Sequence, residues 1–146
     1  MGKVLIAYTS MTGNTEKMAQ YIAEGVRFSE SDAIVKNISD IKEANTLDGF
    51  NGYIFGSPTF HRDMAGNMKT FLFLAKRANL DGKSAGAFGS YTHSGESPGL
   101  IFDTMEHVYR MKMTDLGPFG LKESMIKTDE GRKACQDYGR DFGGRL

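Results

Sequence analysis

The sequence predicts an α/β fold, a parallel β-sheet covered by helices on both faces. Three observations lead there. The apolar runs at residues 4–8 and 52–56 are short and do not alternate with polar residues, which marks strands buried on both sides. Between such runs, apolar side chains recur at helical spacing, as at Met18, Ile22 and Val26 or at Met68, Phe71, Leu72 and Ala75. The order strand, helix, strand, repeated along the chain, is that of right-handed crossover units feeding one parallel sheet.

Taken in order, Lys3–Tyr8 reads as the first strand and Asn14 to about Arg27 as the first helix. Ala33–Ile38 is a second, weaker strand, and Asp40–Asp48 a short helix ending at Gly49. Gly52–Gly56 is a buried strand leading into Ser57-Pro58-Thr59, and Gly66–Arg77 is a helix with the Met68 stripe inward. Lys83–Gly89 forms a strand of small residues, followed by a helix over Pro98–Met113 carrying Ile101, Met105 and Val108. The segment Thr114–Lys127, broken by Gly117-Pro118, holds a last strand in pieces. A helix over Asp129–Phe142 follows, with Cys135, Tyr138 and Phe142 inward.

Bulk properties exclude several classes of function. The 146 residues fit a single domain, 1–146, with 40% hydrophobic and 25% charged side chains. No apolar run approaches the roughly 20 residues of a membrane span, no secretory signal precedes the first strand, and Ile6 stands where a myristoylation site needs Ser or Thr. One cysteine, Cys135, suits a reducing cytoplasm. Eighteen basic against eighteen acidic residues give no case for nucleic acid.

The stretch Thr9-Ser10-Met11-Thr12-Gly13-Asn14-Thr15 joins the first strand to the first helix. Unpaired N–H groups at a helix start and the helix dipole together favour an anion, the hydroxyls add neutral donors, and Gly13 permits close approach. With no Lys or Arg, this loop would hold a phosphate by dipoles alone. It does not match G-x-x-x-x-G-K-[ST], it has one glycine where a dinucleotide turn needs three, and no cysteine lies near. The alternative is a Ser/Thr turn that only caps the helix. Ligands of such sheets bind at the carboxyl ends of the strands, which brings residues 9–15, 57–66 and 90–98 together.

On these motifs the chain resembles the flavodoxins. The first loop is similar to their Ser/Thr-x-Thr-Gly-Asn-Thr phosphate signature. Gly56-Ser57-Pro58-Thr59 is similar to the turn before their flavin-contacting loop. Gly89-Ser90-Tyr91-Thr92-His93-Ser94-Gly95 is similar to the Gly-Ser-Tyr-Gly-Trp-Gly segment of short-chain flavodoxins and A-type flavoproteins. The resemblance implies a flavodoxin-like three-layer α/β/α fold with a five-stranded sheet in the order 2-1-3-4-5. It also implies noncovalent FMN, with Thr9 and Ser10 through Thr15 at the phosphate. Ser57, Pro58, Thr59, Phe60 and His61 would line one side of the ring, and Ser90, Tyr91, Thr92, His93 and Gly95 the other. On this resemblance Phe60 is the candidate to stack on the first side, and Tyr91 or His93 the candidate on the second.

Two departures carry consequences. His93 replaces the stacking Trp, and with His61 it puts two of three histidines on flavin-contacting segments. Between Ser57 and Ala65 there is no glycine, so turning a peptide toward the flavin would strain a bulky residue. A less stabilised one-electron state follows. Zero net charge and Arg62 would both ease reduction.

No metal-ligand cluster, paired carboxylates or nucleophile–base arrangement stands out, so the chemistry falls to the cofactor. Cys135 and the methionines read as core, His107 as a surface or packing residue. Asp63 and Glu96 could touch the ring edge or ribityl chain, or be solvated. The leading expectation is a monomeric or weakly self-associating electron carrier, docking transiently on redox partner proteins through Phe60, Arg62 and Tyr91. The alternatives are an NAD(P)H:quinone or small-molecule reductase and a flavin-free regulatory domain.

Overall fold

The structure, a computed structural model, describes residues 2–146. Strands β1 (Lys3–Tyr8), β2 (Asp32–Asn37), β3 (Gly52–Gly56) and β6 (Ser84–Tyr91) form the body of a parallel sheet. Two further pieces, β7 (Lys112–Met113) and β8 (Phe119–Lys122), pair with successive stretches of β6: Ser84 sits opposite Lys112, and Phe88 opposite Phe119. They occupy one position between them, so the order β2-β1-β3-β6-β7/β8 is the expected five-position sheet with its last strand in two parts.

Each face of the sheet has its own core. Leu5, Ala7, Tyr53, Phe55, Ala85 and Ala87 pack under α2 (Gly66–Ala75) and α3 (Ser97–His107), against Met68, Phe71, Leu72, Ile101 and Met105. Val4, Ile6, Ile54 and Phe88 pack under α1 (Asn14–Phe28) and α5 (Asp129–Gly144), against Met18, Ile22, Val26, Cys135, Tyr138 and Phe142, and the one-turn α4 (Glu123–Ile126) adds Ile126 to the same core. Alternate residues of one strand feed opposite cores, which is why the strands read as unbroken apolar runs. Each Leu or Ile so buried contributes roughly 1.5–3 kcal/mol. Thr128 caps α5 by accepting from the Gly131 N–H at 3.1 Å.

Four expectations are corrected. Asp40–Asp48 is not a helix but two 3₁₀ turns, Ile38–Asp40 and Ala44–Leu47, too short to support an i→i+4 ladder. The helix expected to reach Met113 ends at His107, and Val108, expected inward, is 50% exposed. There the chain turns through Arg110 in the left-handed region (φ 58°), and the Lys112 N–H joins the sheet edge at Lys83 O, 2.9 Å away. The helix expected over Gly66–Arg77 stops at Ala75. Strand β6 runs on to Tyr91, so Ser90 and Tyr91 belong to the strand rather than to the loop after it.

One unit was not anticipated. β4 (Thr59–Phe60) and β5 (Asp63–Met64) make a small antiparallel hairpin between β3 and α2.

Candidate functional site

The carboxyl ends of β1, β3 and β6 bring three loops together, and buried hydroxyls fasten them to one another. Thr9 Oγ1 accepts from Asn67 Nδ2 at the start of α2 (2.7 Å). Thr15 Oγ1 and Ser90 Oγ share a buried hydrogen bond of 2.8 Å. Ser57 Oγ donates to Pro58 O and accepts from the Ala65 N–H, closing the base of the hairpin at 2.8 and 2.9 Å. Ser97 ties the third loop to the second: its hydroxyl donates to Ser57 O (2.8 Å) and its N–H to Thr59 Oγ1 (3.1 Å). Gly89 permits that approach, since a Cβ there would lie 2.3 Å from Ser57 O. Asn67 and Ser97 escaped the sequence reading, although Ser97-Pro98 is a recognisable helix start.

The first loop is open toward solvent. Ser10 Oγ accepts from the N–H groups of Gly13 (3.1 Å) and Glu16 (3.3 Å), so capping is one of its roles, yet its own proton remains free to donate. Gly13 stands at φ 93°, a conformation that turns the loop into α1 and that side chains disfavour. Among the described residues, the N–H groups of Met11, Thr12, Asn14 and Thr15 have no protein acceptor. They form a cradle of neutral donors at the positive end of a 15-residue helix. The one acidic residue of that first turn, Glu16, is engaged through Oε2 by the Tyr8 hydroxyl at 3.0 Å. Burial, then the neighbouring Glu16, raises the Tyr8 pKa.

The second loop is the β4–β5 hairpin. His61 and Arg62 form its turn with φ of 48° and 63°, both left-handed, as a type I′ turn demands. The strain expected of a bulky residue here is therefore already present in the resting backbone. Phe60 is 42% exposed, and His61 and Arg62 lie at the tip. Asp63 Oδ1 accepts from the Met64 N–H at 2.8 Å and Asp63 pairs with Lys69, whose ammonium holds the Asp63 carboxyl below the usual range.

In the third loop, the Tyr91 ring packs on the backbone at Gly95, where a Cβ would meet it at 3.0 Å. Thr92, His93 and Gly95 are exposed. Glu96 Oε1 is inaccessible to solvent and has no hydrogen-bond partner.

The expected site residues thus divide in two. Thr9, Thr15, Ser57, Pro58 and Ser90 are buried and frame the loops. Ser10, Met11, Thr12, Gly13, Asn14, Thr59, Phe60, His61, Tyr91, Thr92, His93 and Gly95 are half-buried or exposed. Among the described residues, the one group of metal-ligating side chains is the exposed Asp103, Glu106 and His107 on α3, outside these loops. Among the described residues, no helix is long and apolar enough to cross a membrane.

Comparison with known proteins agrees with this geometry. The family model described as flavodoxin matches residues 6–136. A flavodoxin of Maridesulfovibrio salexigens is 29% identical over 150 residues, covering all of both chains. A putative diflavin flavoprotein of Synechocystis sp. is 31% identical over 144 residues, 95% of this chain but only 23% of that longer protein. Among solved structures, a flavodoxin from the domain Archaea superposes with a TM-score of 0.90 at 30% identity, covering 98% of this chain and 97% of the other. A family match over residues 6–136, with a relative aligned end to end and a sheet that superposes at a TM-score of 0.90, makes this chain a member of the flavodoxin family, whose proteins bind FMN and transfer electrons.

Proposed function

We propose that the three loops hold FMN between them, and that the chain works as a carrier passing electrons between larger redox proteins. The observation that carries this reading is the set of four unpaired N–H groups at Met11, Thr12, Asn14 and Thr15. A helix start leaves such donors without partners in the chain, and here they stand beside the Ser10 hydroxyl at the strand end that the other two loops share, so a phosphate dianion can accept from all of them. Bound FMN supplies the electron chemistry.

The residues divide the work. The Ser10 hydroxyl and the free N–H groups grip the phosphate, and Gly13 keeps the approach clear. The buried bonds Thr15–Ser90 and Ser97–Ser57 fix the spacing of the loops, so that little ordering is left for the binding event. Phe60 covers one face of the ring from the hairpin, and Tyr91 or His93 the other. With Phe60, His61 and Arg62 exposed at the hairpin tip, the edge of the site presents an apolar and cationic contact to a transient partner.

Reconstitution tests this. The purified protein should take up one FMN, turn yellow and bind FMN at least about a hundredfold more tightly than riboflavin, which lacks the phosphate. Equal affinity for the two flavins would refute the phosphate cradle, and no uptake of either would refute the whole reading.

A further inference from the structure

We infer that the face formed by α2 and α3 is a docking surface for a second copy of this chain. The inference stands apart from the FMN reading, because none of the residues it uses belongs to the three loops.

Its starting point is an apolar strip left in water. Phe73 on α2 is 75% exposed and Val108, just past the end of α3, 50%. They flank an open groove of about 360 Å³ between the two helices, together with Lys69, Lys76, Thr104 and Tyr109. Leu100, 39% exposed, continues the Thr104 and Val108 stripe at a spacing of four residues. Exposed hydrophobic side chains scattered singly are ordinary, whereas a strip of them rimmed by charge marks an interaction site.

The charge on the two helices selects the partner. At the end of α2, Lys76 and Arg77 are exposed and, among the described residues, form no ion pair, while Lys69 is already held by Asp63. On α3, Asp103, Glu106 and His107 gather their side-chain donor atoms within 4.8 Å of one another. Asp103 has no ion pair among the described residues, and Glu106 meets only His107, at 3.3 Å. Two carboxylates so close repel each other until a cation joins them. Both helices cross between parallel strands, so they run in the same direction. One basic and one acidic helix side by side make a surface that complements itself. A twofold axis along the groove lays α2 of each copy over α3 of the other. Lys76 and Arg77 then face Asp103 and Glu106 twice, with Phe73, Leu100 and Val108 of both copies between them. A partner of a single charge sign would meet its own sign on one of the helices. Zero formal net charge also removes the long-range repulsion that separates copies of a highly charged protein.

Analytical ultracentrifugation of the full chain at low salt, from about 10 µM to about 1 mM, reads the dimer directly. For so small a contact the dissociation constant should be on the order of 100 µM. Phe73→Asp should weaken it about tenfold or more. Lys76→Glu with Arg77→Glu makes both helices acidic, and Asp103→Lys with Glu106→Lys makes both basic, so each of these double variants alone should sediment as a monomer. Mixed in equal amounts, the two should pair again, because acidic then faces basic at every contact. Adding Phe73→Asp to either should abolish the mixed pair. All five positions are exposed, so the substitutions spare the cores, and a misfolded chain is not rescued by mixing. A parent that stays monomeric up to about 1 mM leaves the face to a different protein or to a small apolar ligand and overturns the inference. A dimer that persists in these variants places the contact elsewhere and overturns it equally, as does a mixture of the two charge variants that fails to associate.

Discussion

Thr15 shows how a single hydroxyl sets the spacing of the site. It is 1% exposed, and its bond to Ser90 joins residues 75 apart in sequence. Thr15→Val keeps the shape but leaves the Ser90 hydroxyl buried and unpaired, which should cost about 1–3 kcal/mol of stability and weaken FMN binding in the same variant. Urea unfolding with and without FMN measures both, and an unchanged midpoint would mean that the bond contributes nothing. At the hairpin tip the effect has the opposite sign. Arg62 sits at φ 63°, where a side chain costs roughly 1–2 kcal/mol and glycine costs little. Glycine also loosens the unfolded chain by about 0.4–1 kcal/mol, so Arg62→Gly should raise stability by up to about 1 kcal/mol. A marked fall in the unfolding midpoint would show that the turn is not strained at this residue.

Between elements, the closest packing is that of α1 on α5. A Cβ at Gly139 would lie 2.0 Å from Ile22 O, a backbone atom that cannot step aside. Helix propensity favours Gly→Ala by about 1 kcal/mol, yet Gly139→Ala should destabilise by roughly 2–4 kcal/mol because the two helices must part. Gly66 begins α2 with nothing within 4 Å of its Cβ position, and Gly66→Ala should be neutral or stabilising by up to about 1 kcal/mol. Thermal unfolding of the pair gives the test, and equal shifts would contradict it. The same distinction between local and distant causes decided what could be read in advance. β1, β3 and α1 were legible because each declares itself within its own span, by an apolar run or a helical stripe. The hairpin was not, because its strands are two residues long and His61-Arg62 lacks the Asn-Gly signal of a type I′ turn. The overrun of α3 has a similar origin: apolar spacing continues through Val108 and Met111, while the turn at Arg110 is imposed by pairing with β6. At the site, composition singled out the hydroxyls. Which of them turn inward depends on partners 40 or more residues away, as with Ser97 on Ser57 and Ser90 on Thr15.

At the scale of the whole molecule, the two cores bury ionisable groups that carry no charge at neutral pH. Burial pushes the Cys135 thiol up to about 12, and burial is likewise the leading cause that raises Tyr8, Tyr53, Tyr109 and Tyr138. In each case the folded chain keeps a proton that the unfolded chain releases, so stability falls as pH rises past the unfolded pKa. The first loss should begin near pH 8.5, where an unfolded cysteine ionises, at up to about 1.4 kcal/mol per pH unit. It should steepen above about pH 10, when unfolded tyrosines join. Below pH 8 these five groups are neutral in both states and contribute no slope. The exposed Asp63 acts at the other limit. Its lowered pKa makes its contribution present at and above the ordinary aspartate value and lost only as pH falls through the folded one. Urea unfolding free energies of the apoprotein from pH 7 to 11 measure the alkaline limb, with Cys135→Ala as the control whose profile should stay flat until about pH 10. A parent equally flat between pH 8.5 and 10 would mean that Cys135 ionises as readily in the folded protein as in the unfolded chain. The second core would then have to admit water beneath α5, where Cys135 is 0% exposed.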